Sequence, residues 1–450
     1  MEKLSEKYNK AIPRYTSYPT VPHWELKEPE SNKWLEEVKE VYFSQSDKSL
    51  SLYIHLPFCE SLCTYCGCNK RITKNHSVED VYIESVLKEW NIYVKNFGEK
   101  PVIRNIHLGG GTPTFFSAVN LQKLIFTIKD SAIIHPAFAF SFEGHPNNTT
   151  YEQLKVLSEL GFDRVSYGVQ DFNLKVQQAI HRIQPIENVE KVTSWSRELG
   201  YGSVNFDLIY GLPFQTLENI KTNIEKIEQF KPERIALYSY AHVPWKSKGQ
   251  RGYKDEDLPT PSEKLKMYQL AKEELNALGY KSIGMDHFAL ADDELYLAKE
   301  EGYLNRNFMG YTTGQNQLMI GLGCSAISST GTAFVQNEKT VEKYQDSILN
   351  QELPLIIGHY LSHEEMVVSK VINQIICNGV AEFMTSEFTI KLWEDAYEEL
   401  LEMHADELIE MGIYSFKVTK KGMLFVRNIC SLFDPKLKNS INQRQFSQSI

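Results

Sequence analysis

The sequence predicts an α/β protein. It reads as an incomplete parallel (β/α)6 barrel with an N-terminal arm and a mainly helical C-terminal domain. Three observations carry this. From about 50 to 285, short apolar strands alternate with amphipathic helices, the rhythm of a parallel sheet. The βα units number about six, short of the eight that close a barrel. Beyond residue 362, capping signals and helical periodicity dominate. The expected division is 1–33, an arm lying over another part of the protein; 34–362, the main α/β domain; and 363–450, a mainly helical domain.

In the arm, Ile12-Pro13-Arg14-Tyr15-Thr16-Ser17-Tyr18-Pro19-Thr20 holds two prolines, which resist helix, and aromatics that disordered tails lack. It is expected to be ordered and extended; a purely structural strap is the alternative. Predicted strands are 50–56, 102–108, 138–142, 164–169, 204–210 and 234–240. Predicted helices are 77–97, 119–130, 151–160, 174–181, 186–199 and 217–229. Thr260-Pro261-Ser262-Glu263 opens a further helix, with a cap, a first-turn proline and a capping box, and Gly279 ends it. Residues 280–285 offer another strand. Ser362-His363-Glu364-Glu365 is a second capping box. A hairpin is expected around Gly422, giving a winged-helix shape.

Composition narrows the function. The 450 residues are 42% hydrophobic, enough for a sizeable core. A net charge of −10 argues against a general nucleic-acid or acidic-membrane binder. The acidic run Glu398, Glu399, Glu402, Asp406, Glu407 and Glu410 argues further against DNA. No apolar run of about 18 residues is present, and Met1–Lys7 lacks an apolar signal core. The expected location is cytoplasmic.

Four of the seven cysteines fall within Tyr53–Cys68. Cys59, Cys63 and Cys66 form C-x3-C-x2-C. Three thiolates can hold three irons of a [4Fe–4S] cube and leave the fourth open to a small molecule. Disulfides do not suit the expected compartment. A structural zinc site usually has a second knuckle, and Cys324, Cys377 and Cys430 are isolated. Cys68 as a fourth ligand would close the open corner. It reads as a proton- or hydrogen-transfer residue, or as a small side chain beside the loop.

Parallel barrels carry chemistry at the C-terminal ends of their strands. Gly109-Gly110-Gly111-Thr112-Pro113 follows the second predicted strand, where glycine permits close backbone approach. Glu143 ends the third. Gln170 and Asp171 end the fourth, with Arg182 one helix later. Asp207 lies at the end of the fifth. Each taken singly is more often a cap or an ion pair; their shared location favours a site. Asp207 suits ribose hydroxyls, and Glu143 and Arg182 suit charged groups of a ligand. Ala241 and Ile327 are candidates for packing the apolar part of a ligand, with core packing the alternative.

The cysteine stretch resembles the radical S-adenosylmethionine (SAM) superfamily. In that family SAM binds the open iron, and an electron from the cluster cleaves it to a 5′-deoxyadenosyl radical. The resemblance extends nearly end to end to the oxygen-independent coproporphyrinogen III oxidases. It runs through Pro13–Pro19, Tyr53-Ile54-His55 to Cys68-Asn69-Lys70, Gly109–Thr114, Gly168–Phe172, Asp207–Pro213, Gly284–Ala289, Asn307–Thr313 and Arg427–Cys430. It implies a barrel of radical SAM type and oxidative decarboxylation of two propionates of coproporphyrinogen III to vinyls, giving protoporphyrinogen IX for haem. It implies a [4Fe–4S] cluster on Cys59, Cys63 and Cys66, and two SAM molecules per turnover. It implies SAM contacts from Tyr53, Tyr65, Gly110, Gly111, Thr112, Glu143, Gln170, Arg182, Asp207, Ala241 and Ile327. Catalytic roles fall to Cys68, Tyr53 and His55. His145 departs from the family pattern, which more often has an acid or amide there.

The implied partners are coproporphyrinogen III and a small reducing electron carrier of flavodoxin or ferredoxin type. The chain is expected to act as a monomer, without nucleic acid or membrane. Arg14 and Arg306 are candidate clamps for substrate carboxylates. The rival is a radical-SAM haem chaperone without oxidase activity. Such chaperones generally lack the counterparts of Cys68 and the arm, and both are present here.

Overall fold

The structure is a computed structural model that describes residues 2–314, 318–438 and 446–449. Its centre is six parallel strands: β1 (Ser49–Leu56), β2 (Val102–Gly110), β3 (Ile133–Gly144), β4 (Phe162–Gln170), β5 (Ser203–Tyr210) and β6 (Arg234–Ser239), paired in that order. Helices α1 (Val78–Phe97), α2 (Ala118–Asp130), α3 (Tyr151–Glu159), α4 (Ile186–Glu198) and α5 (Leu217–Phe230) make the crossovers. The whole sheet has 13 strands, ending in Leu26–Lys27 on one side and Lys281–Ser282 on the other. Among the described residues those ends do not pair with each other, and the barrel is open there.

The strands alternate. Leu50, Leu52, Ile54 and Leu56 of β1 are fully buried in the main core. Ser51, Asn105, His107, Ser141, Glu143, Ser166, Asn205 and Asp207 face the other way and line an interior chamber of about 510 Å³. The barrel is apolar outside and polar within.

Both predicted capping boxes are present. Thr260 N–H donates to Glu263 at 2.7 Å and heads α6 (Pro261–Ala277); Ser362 N–H donates to Glu365 at 2.9 Å and heads α7 (His363–Asn378). Gly279, at φ +94°, turns the chain after α6 as expected.

Residues 280–285 differ from expectation. Only Lys281–Ser282 is a strand, and it pairs antiparallel with His287–Ala289. A parallel crossover needs a dozen or more residues, and too few lie between these strands. On the far side, β7 (Met319–Leu322) joins β1 in parallel, with Gly321 opposite Tyr53. An antiparallel meander of β8 (Ile327–Ser329), β9 (Ala333–Asn337) and β10 (Leu355–Tyr360) follows. None of these four was expected. The C-terminal hairpin pairs Ile409–Gly412 with Ser415–Val418, earlier than Gly422. Gly422 starts a short helical turn where a Cβ would stand 1.8 Å from the Leu408 carbonyl oxygen.

A second core joins the C-terminal helices to Tyr8, Ile12, Tyr15 and Tyr18 of the arm, and to Ile283, Leu304 and Tyr311. Arg427 donates to the carbonyls of Pro13 (3.1 Å) and Ile12. No described helix is long and apolar enough to cross a membrane.

Candidate active site

Register sets the interior neighbours. Tyr53 lies opposite His107, and His107 opposite Ser141. The Tyr53 and His107 rings stack, with centroids 6.0 Å apart. His107 Nδ1 is 2.8 Å from Ser141 Oγ, and its Nε2 is 3.5 Å from Glu143 Oε1. Gly110 N–H donates to Glu143 Oε2 at 3.2 Å. Burial pushes the Glu143 carboxyl up, but His107 and the Gly110 N–H outweigh it and hold it below its ordinary value. Asp207 goes the other way. Burial and the nearby Glu143 charge push it to about 6, against hydrogen bonds from Ser166 (3.0 Å) and Asn205 (2.9 Å).

Tyr53 Oη lies 3.0 Å from His55 Nδ1, and His55 Nε2 lies 2.9 Å from the Asn69 carbonyl oxygen. A carbonyl only accepts, so Nε2 carries the proton. Nδ1 is then the acceptor for the Tyr53 hydroxyl. Burial lowers the His55 pKa and keeps the ring neutral. The Asn69 contact also fixes the turn that holds Cys68.

The cysteine loop leaves the end of β1. Phe58–Cys59 pairs with Arg71–Ile72, and Thr112 N–H donates to the Phe58 carbonyl at 3.0 Å. Gly111 passes so close that a Cβ would meet the Pro57 carbonyl at 2.5 Å. Cys59 Sγ is 3.3 Å from Thr112 Oγ1, and Arg182 Nη1 is 3.6 Å from Cys63 Sγ. Lys70 Nζ donates to the carbonyls of Cys66 (3.1 Å) and Cys68 (3.3 Å). A hydrogen bond from Cys68 pulls the Cys66 thiol below its ordinary value, helped by Lys70, while burial pushes Cys59 up to about 11.

Cys59, Cys63 and Cys66 border one small cavity of about 50 Å³, with Tyr65, Gly111, Thr112, His145 and Arg182. Arg182 Nε is buried there without a partner. Among the described residues, no three Cys, His, Asp or Glu groups are gathered to hold a single metal ion. Three thiols around a cavity, beside one guanidinium with a buried, unpartnered N–H, suit an anionic iron–sulfur cluster, whose irons take one thiolate each.

Gln170 ends β4 at φ +69°, beside a register shift opposite β5. Gly168 makes room for it. A Cβ there would stand 2.5 Å from Gln170 Nε2 and 2.9 Å from Arg182 Nη2. Asp171 is buried elsewhere, accepting from Gln215 (2.7 Å) and Asn223 (2.8 Å). The Ala241 carbonyl accepts from Gln250 at 3.1 Å, and Gln250 also donates to the Tyr65 carbonyl at 3.3 Å. Ile327 lies on β8 opposite Gln336 and borders neither cavity. His107 and Gln250 touch candidate site residues and were missed by the sequence reading. His107 stands two residues before the glycine run on an inward position, which was the available signal; Gln250 had none.

Arg14 Nη2 donates to the Ser239 carbonyl at the end of β6 (2.6 Å), and Arg306 Nη1 donates to the Arg14 carbonyl (3.0 Å). Arg14 and Arg427 border a further cavity of about 70 Å³.

An open parallel barrel with a C-x3-C-x2-C loop at the end of its first strand is the architecture of a radical SAM protein, and residues 53–227 match the Radical SAM superfamily profile. Oxygen-independent coproporphyrinogen III oxidase of Pseudomonas aeruginosa is 37% identical over 455 residues, covering 99% of this chain and 98% of its own. The Escherichia coli enzyme of that name is 36% identical over 460 residues, with 99% and 98% covered. The solved structure of coproporphyrinogen III oxidase from Escherichia coli, described as a radical SAM enzyme, superposes with a TM-score of 0.88. That match has 34% identity over 94% of this chain and 97% of the other. This chain belongs to the oxygen-independent coproporphyrinogen III oxidase family. The cofactors of that class are a [4Fe–4S] cluster and SAM.

Proposed function

We infer that this chain converts two propionates of coproporphyrinogen III to vinyls without oxygen, yielding protoporphyrinogen IX for haem synthesis. The observation that carries the reading is 36–37% identity, over nearly the full length of both chains, with enzymes of that name. Each propionate loses CO2, one hydrogen atom and one electron. With cluster and SAM bound, the site supplies a 5′-deoxyadenosyl radical as the hydrogen acceptor.

The chain's own residues supply the binding and orientation. Cys59, Cys63 and Cys66 would hold the cluster, and Arg182, with Nη1 3.6 Å from Cys63 Sγ, would balance its charge. Gly110, Gly111 and Thr112 bring backbone to the methionine end of SAM, where Glu143 receives its ammonium. Asp207 takes ribose hydroxyls, and Gln170, Tyr65 and Ala241 complete the contacts. Tyr53 and His55 form one hydrogen-bonded unit that orients SAM and the Cys68 turn. Cys68 exchanges a proton or hydrogen, a role that its exposure to solvent supports. Arg14 and Arg306 hold substrate carboxylates.

The electron enters from a small carrier protein, and the chain works as a cytoplasmic monomer. The thiol-rich loop and seven unbridged cysteines support a reducing compartment. The test is anaerobic incubation of reconstituted protein with SAM, reductant and coproporphyrinogen III. Release of CO2 and 5′-deoxyadenosine with the divinyl product is expected. Tight haem uptake with no vinyl product would instead mark a haem chaperone.

A further inference from the structure

Large apolar side chains lie exposed around the cysteine loop. Leu62, Ile72, Ile183 and Trp245 are 45, 40, 56 and 54% exposed. Each is tied to the thiols. Leu62 precedes Cys63. Ile72 pairs with Cys59. Ile183 follows Arg182, whose guanidinium meets Cys63. Trp245 begins the segment whose Gly249 lies against Thr64 and whose Gln250 holds the Tyr65 carbonyl. An apolar patch rimmed by polar groups marks an interaction surface.

The rim carries positive charge on a chain whose net charge is −10. Lys74, two residues after Ile72, and Lys248 and Arg251, in the segment that Trp245 begins, are exposed. Arg71 is also exposed and pairs with Glu342 at 3.0 Å. Within the loop, the acid is Glu60, which lies 3.6 Å from His76. Asp255, Glu256 and Asp257 follow Lys254, and Asp255 lies 3.3 Å from His242.

We propose that this basic-rimmed apolar face is the docking surface for a small acidic one-electron carrier protein. The proposal rests on the cluster-holding role assigned above to Cys59, Cys63 and Cys66. Apolar contact at the centre supplies affinity, while the basic rim selects an acidic partner and speeds encounter. One electron leaves the carrier's reduced cofactor and enters the cluster. The carrier is oxidised and the cluster reduced by one electron, with no atom transferred.

The test compares two reductants on the reconstituted full-length enzyme. One is dithionite, which needs no docking. The other is an acidic flavodoxin kept reduced by its NADPH-dependent reductase. The variants are the double charge reversal Lys74→Glu with Lys248→Glu, and Trp245→Ala alone. Flavodoxin-driven turnover is expected to fall about tenfold at low salt, while dithionite-driven turnover stays within about twofold. Flavodoxin binding, followed by calorimetric titration of the same proteins, is expected to weaken about tenfold. The wild-type affinity should itself fall as salt rises. Equal losses with both reductants, or unchanged flavodoxin binding, would overturn the docking surface. A wild-type enzyme that binds flavodoxin yet forms no product with either reductant would sink the oxidase reading and leave the surface standing.

Discussion

Arg182 ties two strand ends together through one guanidinium. Its Nη1 lies 3.6 Å from Cys63 Sγ, and its Nη2 donates to the Gly168 carbonyl at 2.5 Å. Burial disfavours its charge, yet Tyr65 and Cys63 more than compensate and raise its pKa. The cysteine loop after β1 and the end of β4 are thus held in one frame.

Arg182→Lys keeps a charge but loses the two-armed reach. Iron retention after anaerobic reconstitution and desalting is expected to weaken about 10–100-fold, the usual cost of losing a group that orients a metal ligand. Iron quantitation and the cluster's visible absorbance measure it. Iron retained at the wild-type level would refute the bracing role.

Glu89 predicts a pH signature. It is fully buried on α1 and accepts from Gly323 N–H (2.8 Å), Asn337 Nδ2 (2.7 Å) and Tyr344 Oη (2.7 Å). Burial still raises it to about 7. In the unfolded chain it titrates near 4.3, roughly the model-peptide value. Between those values the native state binds more protons, so its contribution to stability falls as pH rises through this window. Relative to Glu89→Gln, the wild type should lose about 3 kcal/mol from pH 4 to 8 in denaturant titrations. Parallel pH profiles for the two proteins would contradict this.

Gly111 leaves no room for a side chain, because a Cβ would stand 2.5 Å from the Pro57 carbonyl and 2.9 Å from the Phe58 carbonyl oxygen. Both are backbone and cannot swing aside. Gly111→Ala is expected to cost about 1–3 kcal/mol and to displace the cysteine loop. Thermal unfolding and iron uptake report the two effects.

Arg427 anchors the arm through the carbonyls of Ile12 and Pro13, and also reaches Gln448 at 3.1 Å. Arg427→Ala leaves those carbonyls without their donor. Protease cleavage within residues 9–20 is expected to quicken, with cleavage elsewhere unchanged. Limited proteolysis followed by mass spectrometry checks it.

Much of the architecture was legible because it follows from local chemistry. The βα rhythm, the capping boxes at Thr260 and Ser362, and the turn at Gly279 depend on neighbours within a few residues. The strands β7 to β10 were not legible. Met319–Leu322 is a four-residue apolar run containing a glycine, and such a run fits a strand or a buried helix turn equally well. Its pairing with β1 spans more than 250 residues. The C-terminal hairpin was misplaced because Gly422, an apparent turn residue, is a packing residue against Leu408.

The sequence by itself determined the thiol spacing, the glycine run and the strand-end residues, since each is a matter of residue type and short separation. Only the tertiary structure decided that His107 braces Glu143, that Gln250 links Ala241 to Tyr65, and that Glu89 is a core carboxylate rather than a surface one. The physical reason is range. A hydrogen bond's partners are set by where strand register and crossovers bring distant residues together, and a buried charge is recognisable only once the groups that surround it are in place.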